Sequence, residues 1–557
     1  MAPLRTLPEA LAEASRAGGG LCFVSNGADV HRPYADVRLA SCRIARALRE
    51  SGLRRGDLVA LVLGDAEQFL TTLFGASMAC VIPASLYPPT MTSDLTRYLD
   101  LTAGILRVSG ARAVVTSSVL APEFETLRAA CPDLDMVLSI DNLDAPATEP
   151  DALPSLDDIA FVQFTSGSTA VPKGVALTHR NVSANIDAMN GADGVATAPR
   201  DVAVSWLPLN HDMGLVGMVL GPLYAACPCV LMTPQTFVKR PVEWLRALTR
   251  HHGTISFAPN FAFDLCVRRV KDRDLEGLDL SRWRIAGCGA EPVHAPTLAA
   301  FAAKFAAVGF HETSFLPSYG LAEHVLAATF STRGRAPRVE DVSAVELTER
   351  RTAQPAADGD VAVSLVSCGR PFPEHRIQIV DEDGRPLPEL HVGEIVLAGP
   401  SVMLGYYREA ELTAEAIRDG WLRTGDLGYL SDGELFVCGR AKDLIIVNGR
   451  KYHPQDFEWA VDTLAGVRRG RVVAFGTTAP GRADQVVIVV EPSGTVPAAP
   501  LTDAIRREVS DLFGLYVDHV VLVPSGTVGR TTSGKVQRSA TKARYERGQL
   551  VDEALRA

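Results

Sequence analysis

The sequence predicts an α/β fold: a large N-terminal domain of layered α/β subdomains plus a β-rich subdomain, followed by a small mobile α+β C-terminal domain. Three observations predict it. Short apolar runs alternate with helical patterns through the first half of the chain. Strand signals without intervening helices cluster after Gly369, and a further segment of domain size follows 439–443. The chain has 557 residues, more than one hydrophobic core supports, so several units are expected.

Residues 34–51 carry apolar side chains at helical spacing and stop at Gly52. Residues 57–63 read as a buried strand, 66–75 as a helix and 79–83 as a second strand. The strand signal repeats at 111–116 and 135–139, and further units stand at 254–257 and 283–287. Strands separated by helices indicate parallel layers. The apolar stretch 216–226 is too short and too broken by Gly and Pro to span a bilayer, so it reads as buried strand or helix. Between 332 and 359 the pattern fades into a segment rich in Pro, Arg, Asp and Glu. That is long for a loop in a compact domain, so it is read as mobile or functional. Strands return at 376–380 and 393–397. Past the boundary near 439–443, strands at 471–475 and 485–490 belong to a terminal segment of about 115 residues, an ordinary domain size.

Hydrophobic residues make up 47% and charged residues 22%, a globular balance. The net charge of −10 and the lack of a long basic block argue against nucleic acid or an anionic membrane as the main partner. No apolar core of signal-peptide type follows Met1. A cytoplasmic location without integral membrane association is therefore expected. The ten cysteines lack paired spacing and read as reduced thiols; Cys227-Pro228-Cys229 is too tight for a zinc pair.

Phosphate chemistry is written in four places. Phe164-Thr165-Ser166-Gly167-Ser168-Thr169, then Pro172-Lys173-Gly174, follows the apolar run 159–162. Glycines let backbone N–H groups approach a polyphosphate, hydroxyls add donors, and lysine adds a mobile charge. By itself the hexapeptide suits a polar surface turn equally well. Ser318-Tyr319-Gly320-Leu321-Ala322-Glu323 sets a carboxylate just past a Gly turn, where it suits either Mg²⁺ or a solvated helix start. Thr424-Gly425-Asp426 places a carboxylate able to accept both ribose hydroxyls, although such a triplet is more often a plain turn. The fourth place, Gly529 to Lys535, matches P-loop spacing but has Val536 where the metal-binding hydroxyl belongs. Only 22 residues follow Lys535, too few for the rest of a P-loop sheet. A lysine that swings in to neutralise charge at a phosphate fits better.

The order of these motifs resembles the adenylate-forming superfamily of acyl-CoA synthetases, peptide-synthetase adenylation domains and luciferases. The resemblance spans nearly the whole chain: 164–174, 318–323, 424–426, 439–443 and Gly534-Lys535. A narrower resemblance, to the fatty acyl-AMP ligase branch, rests on Leu86-Tyr87-Pro88-Pro89, the stretch 207–215 and Ala258-Pro259-Asn260-Phe261-Ala262. Gly289-Ala290-Glu291-Pro292-Val293 and the stretch 366–371 add to it. In that branch an insertion precedes the Ser-Cys-Gly-Arg-Pro stretch, here Ser367 to Pro371, and residues 332–366 stand in its place.

The resemblance implies a two-step reaction. A carboxylate attacks the α-phosphorus of ATP, and the acyl-adenylate then passes its acyl group to an acyl carrier protein acting in trans. It implies ATP and Mg²⁺, and a fatty or related carboxylic acid. It implies that Thr165, Ser166, Gly167, Ser168, Thr169 and Lys173 hold the β- and γ-phosphates and that Glu323 binds Mg²⁺. Gly289, Ala290, Glu291, Ser318, Tyr319 and Gly320 surround the adenine and α-phosphate, and Asp426 and Arg440 hold the ribose. Lys535 bridges carboxylate and phosphate. His211 lines the junction with the acyl tunnel, or is a core histidine satisfied by Asp212. The implied domains are 1–440, a hinge at 441–443 turning about Lys442, and 444–557. Trp206, Met213, Met218, Phe257, Phe261 and Phe263 are candidate walls of the acyl pocket. Each buried methylene contributes about 0.8 kcal/mol, so pocket depth can select chain length. The alternatives are an acyl-CoA ligase using free CoA, a non-catalytic nucleotide-binding scaffold and a P-loop NTPase.

Overall fold

A computed structural model describes residues 3–25, 28–89, 95–165, 172–447, 450–477, 485–494, 496–530 and 536–550. Two mixed sheets with parallel centres form its larger part. The seven-stranded sheet centres on Leu58–Val62, five consecutive apolar residues buried on both faces. Parallel neighbours Ile82–Ser85 and Ala113–Thr116 flank it. Strands buried on both faces read as continuous apolar runs, which is why this one was legible. The helix beside it, Ala66–Met78, starts where the Asp65 side chain accepts the Gln68 N–H. Two antiparallel pairs close one side of this sheet: Ile159–Thr165 with Lys173–Thr178, and Lys173–Thr178 with Gly405–Tyr406.

The nine-stranded sheet runs through Phe315–Gly320, Ile285–Cys288, Ile255–Ala258, Ala203–Ser205 and Cys229–Met232. The hairpin Gly20–Ser25 and Ala28–Pro33 forms one end of it. The stretch read as buried strand or helix is a π-helix, Met213–Leu220, followed by the short helix Gly221–Tyr224.

A five-stranded antiparallel sheet follows, built on Arg376–Val380, Gly393–Ala398, Trp421–Ser431 and Glu434–Arg440. The segment with the faded pattern is ordered. Val339–Ser343 pairs with Ala362–Val366, and a π-helical turn, Glu346–Arg350, lies between them. Val342, Leu347 and Leu365 share a core with Val392, Tyr429 and Phe436 of the β-rich subdomain. Glu340 accepts hydrogen bonds from Tyr429 Oη (2.9 Å) and Ser431 Oγ (2.8 Å). It is a packed hairpin, not a loose loop.

The terminal segment has its own core. In the strands Val467–Thr477 and Gln485–Pro492, alternate residues face opposite sides. Ala474, Ile488 and Val490 pack with Phe457 and Ile505, whereas Val473, Val487 and Val489 pack with Val521 and Val528. Among the described residues, no helix is long and apolar enough to cross a membrane.

Leu347→Ala tests the packing of the inserted hairpin. Leu347 is buried against the β-rich subdomain, so a loss of about 2–5 kcal/mol is expected, seen as a lower unfolding midpoint in a thermal or urea melt.

Candidate active site

The C-terminal ends of the sheets face a cleft of about 1720 Å³ that the terminal domain covers. An ordinary small-molecule site occupies ~300–1,000 Å³, so this one has room for two ligands. Thr165, Lys173, His211, Ala290, Glu291, Ser318, Tyr319, Gly320, Glu323, Arg440 and Lys442 all line it. Gly289 and Asp426 stand behind that wall. A Cβ on Gly289 would lie 2.6 Å from Ser318 Oγ, so only glycine lets the two segments close. Ser166, Gly167, Ser168, Thr169 and Lys535 lie outside the described residues. Their neighbours are placed: Thr165 and Lys173 are register partners at the end of their hairpin. Arg530 and Val536 form an isolated antiparallel bridge, and both line the cleft.

Two hydrogen-bonded sets organise the polar end. The first is Tyr319, Asp426 and Arg440. Asp426 and Arg440 are cross-strand partners, which brings Arg440 Nε 3.0 Å from Asp426 Oδ1. Tyr319 Oη donates to Oδ2 at 2.8 Å. Asp426 is buried, and a buried carboxylate needs such partners. Its charge holds the Arg440 guanidinium above the usual arginine range, while burial, and then Asp426, push the Tyr319 phenol well up.

The second set is Lys173, Tyr406 and Glu323. Tyr406 stands on a two-residue strand, Gly405–Tyr406, that pairs with Lys173–Thr178. Its hydroxyl donates to Glu323 Oε1 at 3.0 Å, and Lys173 Nζ lies 4.7 Å from its ring centroid. Burial and then Glu323 raise the Tyr406 phenol, keeping it a donor. Glu323 sits in the helical turn Ala322–His324, and the next residue, Val325, holds φ at +63°. For a β-branched residue that conformation costs about 1–3 kcal/mol, and such strain clusters at functional sites.

His211 lines the cleft, and its Nδ1 lies 2.6 Å from Asp212 Oδ1, so the wall position and the acidic partner coexist. Glu291 also holds the fold locally, since its Oε1 accepts the Phe261 N–H (2.6 Å) at the start of the helix Asn260–Arg269. Lys442 occupies the turn Ala441–Asp443, where burial, and then Arg440 and other neighbours including Lys173, lower its pKa. The apolar wall is narrower than expected. Trp206, Met213, Phe257 and Phe261 line the cleft. Met218 and Phe263 do not; both are fully buried, Phe263 among Trp244, Trp283 and Phe301.

The motifs do not reveal three further residues. Tyr406 owes its place to strand pairing across the subdomains. Gln163 donates to the Asn210 carbonyl (2.6 Å) and so holds the segment that carries His211. Arg538 joins the turn Ala441–Asp443 to the terminal domain through Asp443 (2.8 Å) and Glu458 (2.8 Å). A lone aromatic, amide or arginine gives no spacing signal.

The signature of the AMP-binding enzymes matches residues 12–407, and that of the AMP domain of Disco-interacting protein 2-like proteins matches 442–554. The chain belongs to the AMP-binding, adenylate-forming enzymes. A Caulobacter vibrioides protein named as an acyl-CoA synthetase is 36% identical, over 93% of this chain and 91% of its own. The medium-chain-fatty-acid–[acyl-carrier-protein] ligase JamA of Moorena producens is 34% identical over 89% and 87%. A solved structure from work on fatty acyl-adenylate ligases of E. coli and L. pneumophila superposes with a TM-score of 0.90 at 35% identity, covering 98% of this chain and 99% of that one.

Asp426→Ala removes the acceptor shared by Tyr319 and Arg440. ATP affinity, measured calorimetrically, is expected to fall by about 1–3 kcal/mol, roughly 5- to 150-fold.

Proposed function

We propose that this enzyme joins a fatty acid to AMP, releasing pyrophosphate, and then passes the acyl group to the phosphopantetheine thiol of an acyl carrier protein. The supporting observation is the shared cleft, whose wall holds the Lys173–Tyr406–Glu323 and Tyr319–Asp426–Arg440 sets together with apolar Met213, Phe257 and Phe261. A nucleotide and an apolar acid can meet there. The likeness to JamA, a ligase of fatty acid and carrier protein by name, supports the second step.

In this reading a carboxylate oxygen of the acid bonds to the α-phosphorus, and the bond to the bridging oxygen of pyrophosphate breaks. The ribose hydroxyls donate to Asp426, which keeps spare acceptor capacity on both oxygens. Arg440 and Tyr319 fix that carboxylate's orientation. Residues 165–169 hold the β- and γ-phosphates through hydroxyls and backbone N–H groups, and Lys173 adds a positive charge there. Lys535 bridges the two reacting anions, and His211 stands at the mouth of the acyl pocket. Glu323 offers a hard oxygen donor backed by the Tyr406 hydroxyl, which fits Mg²⁺, an ion that takes few protein ligands. When bound, that ion neutralises phosphate charge. The carrier thiol then attacks the acyl carbonyl carbon, loses its proton and releases AMP.

We assign residues 1–440 to the adenylating domain and 444–557 to a mobile domain that turns about Lys442. The separate core of the terminal segment supports this division. We place the enzyme in the cytoplasm, where its ten free cysteines stay reduced. The likeness to the Caulobacter protein favours a second reading, transfer to free CoA.

Acid-dependent exchange of pyrophosphate into ATP tests the first step. Lys535→Ala is expected to slow it about 100- to 1,000-fold, the loss typical of one positioned transition-state donor. Incubation with fatty acid, ATP and either CoA or a phosphopantetheinylated carrier tests the second. Acyl-carrier is the expected product; efficient acyl-CoA formation would establish the other reading.

A further inference from the structure

A second group of chemically apt side chains lies away from the cleft, at one end of the nine-stranded sheet. Cys22 stands on Gly20–Ser25 and Asp29 and His31 on Ala28–Pro33, the hairpin that ends the sheet. Cys22 and His31 are direct cross-strand partners, and Asp29 pairs with Val24, two residues along from Cys22. All three therefore share one face of the hairpin. His251 reaches the same point from the C-terminal end of the helix Val242–Arg250.

The donor atoms converge. One ligand atom from each of Cys22, Asp29 and His251 lies within 4.8 Å of the others, the one such trio among the described residues. His251 Nε2 is 3.1 Å from Asp29 Oδ2, and His31 Nε2 is 3.8 Å from Cys22 Sγ. Tetrahedral zinc bonds its sulfur at about 2.3 Å and its nitrogen and oxygen at about 2.0–2.2 Å. Ligand atoms on such a shell sit at about these mutual separations. The other Asp29 oxygen, Oδ1, accepts from Arg250 at 3.0 Å, the outer-shell support that ligating carboxylates usually have. Arg250 Nε also reaches His251 Nε2, at 3.3 Å. Its half-exposed side chain thus supplies the positive charge that a metal would otherwise bring.

The geometry points to a zinc site formed by Cys22, Asp29 and His251, with His31 turning about its side-chain bonds to supply the fourth ligand. Binding breaks the Cys22 S–H bond, forms a sulfur–zinc bond and sends the proton to solvent. The Arg250 Nε–His251 contact opens, while Arg250 stays on Asp29 Oδ1. The ion would clasp the terminal hairpin of the sheet to the helix Val242–Arg250. Cys22, Asp29 and His251 do not line the cleft, so this metal has no part in the adenylating chemistry.

The full-length protein, stripped with a chelator, is titrated with zinc and separately with cobalt(II), both in excess Mg²⁺. One zinc per chain is expected to survive dialysis, and cobalt is expected to give a thiolate-to-metal charge-transfer band. Cys22→Ser should abolish the band, and His251→Gln, at a more exposed position, should lose the retained zinc with the fold intact by circular dichroism. Arg250→Met removes the competing cation and should tighten zinc binding. Pyrophosphate exchange should be unchanged in all three. Absence of the band at stoichiometric cobalt, or equal zinc retention in the wild type and His251→Gln, would show the group to be only an ion-pair network and overturn the proposal.

Discussion

Charges around the cleft are held by pairing with one another, and the rest of the site depends on that. An unpaired buried carboxylate is costly, and Asp426 is buried in a protein of net charge −10. It stands there, in the five-stranded sheet, because one cross-strand position brings Arg440 alongside and a strand of the nine-stranded sheet brings the Tyr319 hydroxyl. Glu323 and Lys173 are organised the same way, on either side of Tyr406. Bringing a carboxylate to a triphosphate is mainly a problem of positioning and charge neutralisation. Groups already fixed by their neighbours need little reorganisation when the ligands arrive.

The terminal domain meets the larger part of the chain along the cleft, and Gln455 donates to the Cys438 carbonyl. Arg530 lies 5.7 Å from the Phe261 ring centroid, and the His294 and Trp459 rings are 4.7 Å apart. Arg538 ties Asp443 of the turn Ala441–Asp443 to Glu458 of the terminal domain. Lys442 lies in the turn Ala441–Asp443, with its charge disfavoured by burial and then by Arg440.

Much of the fold was legible because its strands are locally self-evident. The run 57–63 contains Leu58–Val62, and 376–380 coincides with the strand Arg376–Val380. The inserted hairpin was not legible. Its strands are half exposed, and residues distant in sequence, Val392, Tyr429 and Phe436, complete its core. Tyr406 escaped for a related reason: its meaning comes from pairing with a strand that begins at Lys173. Apolar periodicity separated neither Met218 nor Phe263 from the true wall residues, since core and pocket faces use the same side chains. Cys22, Asp29 and His251 show no ligand spacing, because two elements far apart in sequence bring them together.

Attack of a fatty acid's carboxylate on the α-phosphorus is the central claim, and heavy oxygen traces it directly. Acid labelled in both carboxylate oxygens is turned over with ATP and a phosphopantetheinylated carrier, and the released nucleotide is weighed by mass spectrometry. The account predicts AMP carrying one heavy oxygen on its phosphate. Unlabelled AMP, or ADP in its place, would contradict it.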